Sequence, residues 1–169
     1  MRTTGDFTIH NYTIPIQKFG EPLYLIPFGD VHRSSPQCHV QKWLSFCEWA
    51  KKKSRCLFLG MGDYDDLIST SERKIIMNPD LHESTQQNLH EVWLKSTQRF
   101  AKEIGFMKGR LIGLMEGNHF VRFANNTTTT QKLCELMSTA YLGCNSFIRL
   151  SFLYGKRFSA WRAGERIGL

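Results

Sequence analysis

Leu23-Tyr24-Leu25-Ile26-Pro27-Phe28-Gly29-Asp30-Val31-His32 is an apolar run that ends on a turn glycine and then on two side chains with metal-ligand chemistry. The pattern returns twice. Cys56-Leu57-Phe58-Leu59 leads to Gly62-Asp63-Tyr64-Asp65-Asp66, and Leu111-Ile112-Gly113-Leu114-Met115 leads to Gly117-Asn118-His119. Short apolar runs bounded by glycine read as buried strands. In open α/β sheets, functional groups gather just past the carboxyl ends of such strands. Three ends carrying Asp, His and Asn therefore read as one metal site.

The intervening segments fit a layered α/β arrangement. Val40, Trp43, Leu44, Phe46, Cys47 and Ala50 recur at helical spacing, and a strand is expected over 55–59. Residues 67–78 connect to Asn78-Pro79-Asp80, a start signal for a long helix. Leu89, Val92, Trp93, Phe100 and Ile104 would form its apolar face, and Gly105 its stop. A third strand is expected over 110–115, a polar loop at Asn125-Asn126 and the four threonines, and a helix over 131–139. Residues 7–16 alternate loosely and read as an edge strand or a hairpin. Residues 147–154 form a final strand-like run. The order β-α-β-α-β-α-β favours a sheet with flanking helices.

In this order and spacing the three motifs resemble those of the calcineurin-like metallophosphoesterases, GDxH, then GDxxD or GDxxN, then GNHD or GNHE. Phe120 stands where the last motif usually carries an acid. The resemblance covers roughly residues 23–150. It implies a metallophosphoesterase-type sheet, of which this chain would supply the first half of a β-sandwich flanked by helices. It further implies that Asp30 and His32 bind a first metal, that Asp63 bridges two, and that Asn118 binds the second. His119 would stand beside the scissile phosphate as proton donor or charge stabiliser. Asp66 matches the last position of the GDxxD form and would orient the site.

Two divalent ions roughly 3.5–4 Å apart clamp the attacking and leaving oxygens of an in-line phosphoryl displacement. Mixed Asp, Asn and His donors suit manganese, iron or zinc better than calcium. Plainer readings stand beside these. Asp30 also reads as a turn or N-cap residue before Ser34-Ser35-Pro36. Asp63 to Asp66 also read as a solvated acidic turn, Asp65 above all. Arg122 reads as a phosphate-facing donor or as a surface or carboxylate-paired side chain.

One feature departs from the family. Its complete site takes further histidines from the second half of the domain. Here the six histidines are His10, His32, His39, His82, His90 and His119, with none beyond His119. The two-ion site of the family would thus hold one ion or none in this chain. A length of 169 residues fits one domain, 1–169. From Arg149 onward five basic residues face one acid, more than half of the net charge of +7. The stretch from about 156 shows neither alternation nor helical spacing. A reading frame truncated or shifted near Lys156 is the expectation from that tail.

A basic chain fits a phosphate-rich partner, including nucleic acid, although no spaced nucleic-acid motif appears. Lys51-Lys52-Lys53 reads as the solvated end of a helix. Five cysteines without CxxC spacing read as reduced thiols rather than a disulfide framework or zinc site. No apolar run reaches the roughly 18 residues of a membrane span, and Met1 to Asp6 lacks the core of a signal peptide. The expected protein is cytoplasmic. Its expected activity is metal-dependent hydrolysis of a phosphate ester. A non-catalytic half-domain that binds metal weakly, or a phosphate-rich partner, is the alternative.

Overall fold

A computed structural model describes residues 8–16, 20–66 and 83–154. Along the chain come β1 (Thr8–Ile16), β2 (Tyr24–Phe28), α1 (Val40–Lys51), β3 (Cys56–Gly60) and α2 (Glu83–Glu103). A 3-10 turn (Gly105–Met107), β4 (Leu111–Leu114), α3 (Thr129–Met137), β5 (Ala140–Tyr141) and β6 (Ser146–Tyr154) follow. Among the described residues the class is mixed α/β, with three α-helices and two parallel sheets. One sheet has the order β2-β3-β4-β5, and β1 and β6 pair as the other. Parallel neighbours need long crossovers. The stretch between β2 and β3 contains α1, that between β3 and β4 contains α2, and that between β4 and β5 contains α3.

The pleat divides each central strand between two faces. Register sets Ile26 beside Phe58 and Phe58 beside Leu111. These residues, with Phe28 and Leu114, meet the helices in one core. Trp43 of α1 stacks between Phe46 and Phe100 at 5.5 Å from each ring, and Leu133 and Met137 close the core from α3. Leu57 and Ile112 turn to the opposite face, where Tyr12 and Ile14 of β1 pack on them with Ile148 and Leu150 of β6. A register slip between Phe58 and Leu59 inserts Ile112 as an extra residue. Such a bulge re-aims side chains, which sends Ile112 to one cluster and Leu111 and Leu114 to the other. The layers run helices, four-stranded sheet, two-stranded sheet.

Several expectations change. Residues 8–16 form an edge strand, one of the two expected forms, rather than a hairpin, and the strand pairs in parallel with β6, more than 130 positions away. Val92 lies on the open side of α2 at 55% exposure, and Leu44 of α1 is exposed at 39%. Apolar spacing alone does not say which flank of a stripe is covered. α3 begins at Thr129 rather than Gln131, because Thr128 caps it and the Gln131 side chain returns to the Thr128 backbone. That reciprocal pair satisfies two N–H groups that would otherwise lack partners. The helix start at Asn78-Pro79-Asp80, His82 and the basic tail from about 156 lie outside the described residues. No helix among the described residues is long and apolar enough to cross a membrane.

Candidate metal centre

Because β2, β3 and β4 are parallel, their carboxyl ends open on one side, and the three motif loops meet there. Backbone bonds extend the β2–β3 ladder past the strand ends. Asp30 N–H donates to the Gly62 carbonyl at 3.0 Å, and Val31 and His32 N–H donate to the Asp63 carbonyl at 2.8 and 3.1 Å. The third loop presses against the second so closely that side chains are excluded. A Cβ on Gly117 would fall 2.0 Å from Asp63 Oδ1, and Gly62, at φ +101°, backs directly onto Gly117.

This crowding forces unusual backbone. Asp30, His32 and Asp63 have φ of 54°, 47° and 51°. Left-handed backbone is uncommon away from glycine and costs on the order of 1–3 kcal/mol per residue. It persists only where the surroundings impose it, and strain of this kind gathers at functional sites. Three of the five non-glycine residues with positive φ among the described residues are candidate ligands.

The side chains converge accordingly. Ligand atoms of His32, Asp63 and His119 lie within 4.8 Å of one another. The His32 and His119 rings meet edge to face at 4.6 Å. His32 Nε2 lies 2.8 Å from Asp30 Oδ1, and His119 Nδ1 lies 2.9 Å from Asp66 Oδ1. Asp66 Oδ2 is also 3.6 Å from His32 Nδ1. The His119 backbone N–H donates to Asp63 Oδ1 at 2.9 Å. Asp30 is not a helix cap, since His39 caps α1 and accepts from Lys42 N–H. Its side chain is 88% exposed, and Asn118 is exposed at the rim of the third loop. A cleft of about 410 Å³ opens beside Asp30, with Val31, His39, Lys42 and Phe46 in its wall.

A partly buried frame holds the loops. Arg33 grips both oxygens of Glu103, through Nε at 3.1 and 3.0 Å, and Trp43 Nε1 donates to the same carboxylate at 2.8 Å. The bond to Glu103 raises the Arg33 pKa above its ordinary value. This anchors the residue after His32 to the end of α2. Tyr64 is buried and donates to the Met115 carbonyl at 2.9 Å, which ties the second loop to the third. Burial pushes its phenol above the usual range. Glu116 is buried beside α3 and accepts from Thr128 Oγ1 at 3.0 Å. Burial raises its carboxyl, against the opposing bonds from Thr130, Thr128 and Tyr141.

Glu116, Glu103 and Tyr64 escape a reading of the sequence, because a charged or polar residue just past a strand or at the end of a helix resembles ordinary solvated punctuation. The hint is adjacency: Glu116 directly precedes Gly117-Asn118-His119, and Tyr64 lies within the second motif. Asp65 is not simply solvated, since Ser96 of α2 donates to its carboxylate. Arg122 is engaged within its own loop, where its guanidinium lies 5.2 Å from the Phe120 ring and 3.4 Å from the Asn126 carbonyl.

The donor chemistry suits one first-row divalent ion, with imidazole and carboxylate within reach of a single centre. Around it Asp65 is hydrogen-bonded to Ser96, Asp66 to His119 and Glu116 to Thr128. Comparison of the chain with protein-family models, with curated proteins and with solved structures found no match.

Proposed function

We propose that the site hydrolyses a phosphate mono- or diester with a divalent ion, as the resemblance to calcineurin-like metallophosphoesterases implies. The observation that carries this reading is the meeting of His32, Asp63 and His119, buttressed by Asp30 and Asp66, at the mouth of a parallel sheet. The layer order, with helices on one face of the sheet and a second sheet on the other, is consistent with the expected metallophosphoesterase layering. A divalent ion there would make a coordinated water acidic enough to attack near neutral pH and would offset phosphate charge. The chain's own contribution is placement. Backbone bonds between the loops fix Asp63, the Asp66 carboxylate fixes the His119 ring, and Arg33 and Glu103 hold the first loop on α2. The cleft beside Asp30 gives the ester's remaining group a place, with Lys42 at its wall.

A second reading keeps the ion and drops the turnover. Its support is the uneven cover of the sheet: Leu25 is 48% exposed, and Phe152 and Tyr154 exceed 50%. In that reading the chain is a half-domain that binds metal or a phosphate-rich partner. Hydrolysis of p-nitrophenyl phosphate and of its bis ester by the purified chain with manganese separates the two. Turnover that falls at least 100-fold in Asp63→Asn is expected. Turnover no higher than that of manganese alone favours the half-domain.

A further inference from the structure

We propose that the amino-terminal end of the four-stranded sheet, opposite the candidate metal centre, binds single-stranded nucleic acid through Tyr24, Trp49 and the cations Lys51, Lys52, Lys53 and Arg55. This goes beyond the hydrolysis reading and does not depend on it.

Topology sets the place. α1 ends at Lys51 and the chain re-enters the sheet at Cys56, so residues 52–55 lie where β2 and β3 begin. The Tyr24 N–H donates to the Arg55 carbonyl at 3.0 Å, which brings the first residue of β2 against that turn. The candidate metal centre lies past the other ends of the same parallel strands. Five residues of strand, about 16 Å at the usual rise per residue, separate the two.

Two aromatic rings stand half in the open there. Trp49 is 47% exposed and Tyr24 is 50% exposed, although tryptophan is highly buried on average. Lys53 Nζ lies 5.0 Å from the Trp49 ring centroid and 5.8 Å from that of Tyr24. One ammonium thus joins both rings by cation–π attraction. The helix dipole favours a cation in the last turn, which accounts for Lys51. It does not account for two exposed rings gathered around a cation two residues further on.

That combination selects a ligand class. Cations meet phosphates, and an exposed ring offers a face on which a base stacks. An acidic peptide would use the cations and leave the rings idle. A duplex keeps its bases inside its own stack. A single strand uses both. Among the cations, Lys51 pairs with Glu48 and Arg55 with Glu21, through side chains 38–64% exposed. Ion pairs at such exposure contribute little, so phosphate replaces either carboxylate at small cost.

Fluorescence anisotropy of a labelled oligothymidylate titrated with the full 169-residue chain tests this. A chelator keeps divalent ions away, so the outcome is independent of the reading of the metal centre. The single strand is expected to bind at least fivefold more tightly than a duplex of equal length. Trp49→Ala should weaken it by about 5- to 150-fold, and Tyr24→Ala in the same direction. Lys52→Gln and Lys53→Gln should each lower the slope of log affinity against log salt by about 0.7. Lys95→Gln, on the surface of α2, should leave binding unchanged. If the basic residues from about 156 carry the binding instead, the ring and lysine variants bind as the unmodified chain does, and the proposal falls. Equal affinity for the duplex, tighter binding to phosphatidylserine vesicles than to the oligonucleotide, or no binding at low salt would also overturn it. Should Trp49→Ala fail to fold, Tyr24→Ala and the salt slopes of the two exposed lysine variants decide.

Discussion

The two faces of the four-stranded sheet are built to different standards. On the helical face Phe58, Leu114 and Ala50 are fully buried, and side chains from α1, α2 and α3 form one continuous core with the strands. On the other face β1 and β6 cover β3 and β4 through a smaller cluster around Tyr12, Ile14, Leu57 and Ile112. Leu25 on β2 and Phe152 and Tyr154 at the end of β6 remain exposed. The candidate metal centre belongs to the first standard. Arg33, Trp43 and Glu103 fasten it to α1 and α2, and Glu116 and Thr128 fasten it to α3. Rigidity at the loops thus comes from the helical side, while the sandwich side leaves apolar surface open.

A matched pair of truncations tests this contrast most strongly. Leu114 and Leu57 sit on adjacent strands, are 0% and 4% exposed, and face opposite ways. Leucine-to-alanine changes in cores cost about 3–5 kcal/mol, more where the site cannot collapse. Leu114→Ala is expected near the upper end, about 5 kcal/mol, and Leu57→Ala near the lower, about 3 kcal/mol. Urea unfolding measures both, and equal or reversed costs would break the contrast.

Gly117→Ala sharpens it within the site. The added methyl collides with the Asp63 backbone nitrogen at 2.3 Å as well as with its carboxylate, so the loops must separate. Overpacking of this kind costs roughly 1–3 kcal/mol. Manganese affinity should fall at least tenfold while far-UV circular dichroism stays native. Unchanged affinity would mean that the contact between the second and third loops does not position Asp63.

The thiols give the mildest test. Burial pushes Cys47 up to about 11 and Cys134 up to about 12, and both lie in the helical-face core. Cys144 is exposed. At neutral pH a disulfide reagent should label Cys144 rapidly and reach Cys47 and Cys134 only after denaturant is added. The sign of the linked pH effect follows. The unfolded chain loses these protons near the ordinary thiol value of 9.0, below the folded values, so stability should decline as pH rises above about 9. Fast labelling of Cys134 in the native protein would show that the helical core opens readily.

Much of this layout is legible in the sequence, for reasons that differ from element to element. β2, β3 and β4 are short apolar runs closed by glycine, and α1 shows its 3.6-residue spacing plainly. Periodicity alone misplaces Val92, because the width of a helix's covered face depends on what packs there. The pairing of β1 with β6 was not legible at all, since no local pattern names a partner more than 130 residues distant. Within the site, Asp30, His32, Asp63 and His119 stand out because three apolar, strand-like runs in order each lead to residues of metal-ligand type. Glu103 is hidden, because a glutamate at the end of an amphipathic helix looks solvated until Arg33 and Trp43 are brought to it.

By itself the sequence determined which side chains reach the carboxyl ends of the sheet, because apolar runs and glycine turns are local properties. Only the tertiary structure decided how those side chains divide their work. That division depends on which nitrogen meets which carboxylate and which oxygen of Asp63 is enclosed, and distances between separate loops are set by packing, not by spacing along the chain.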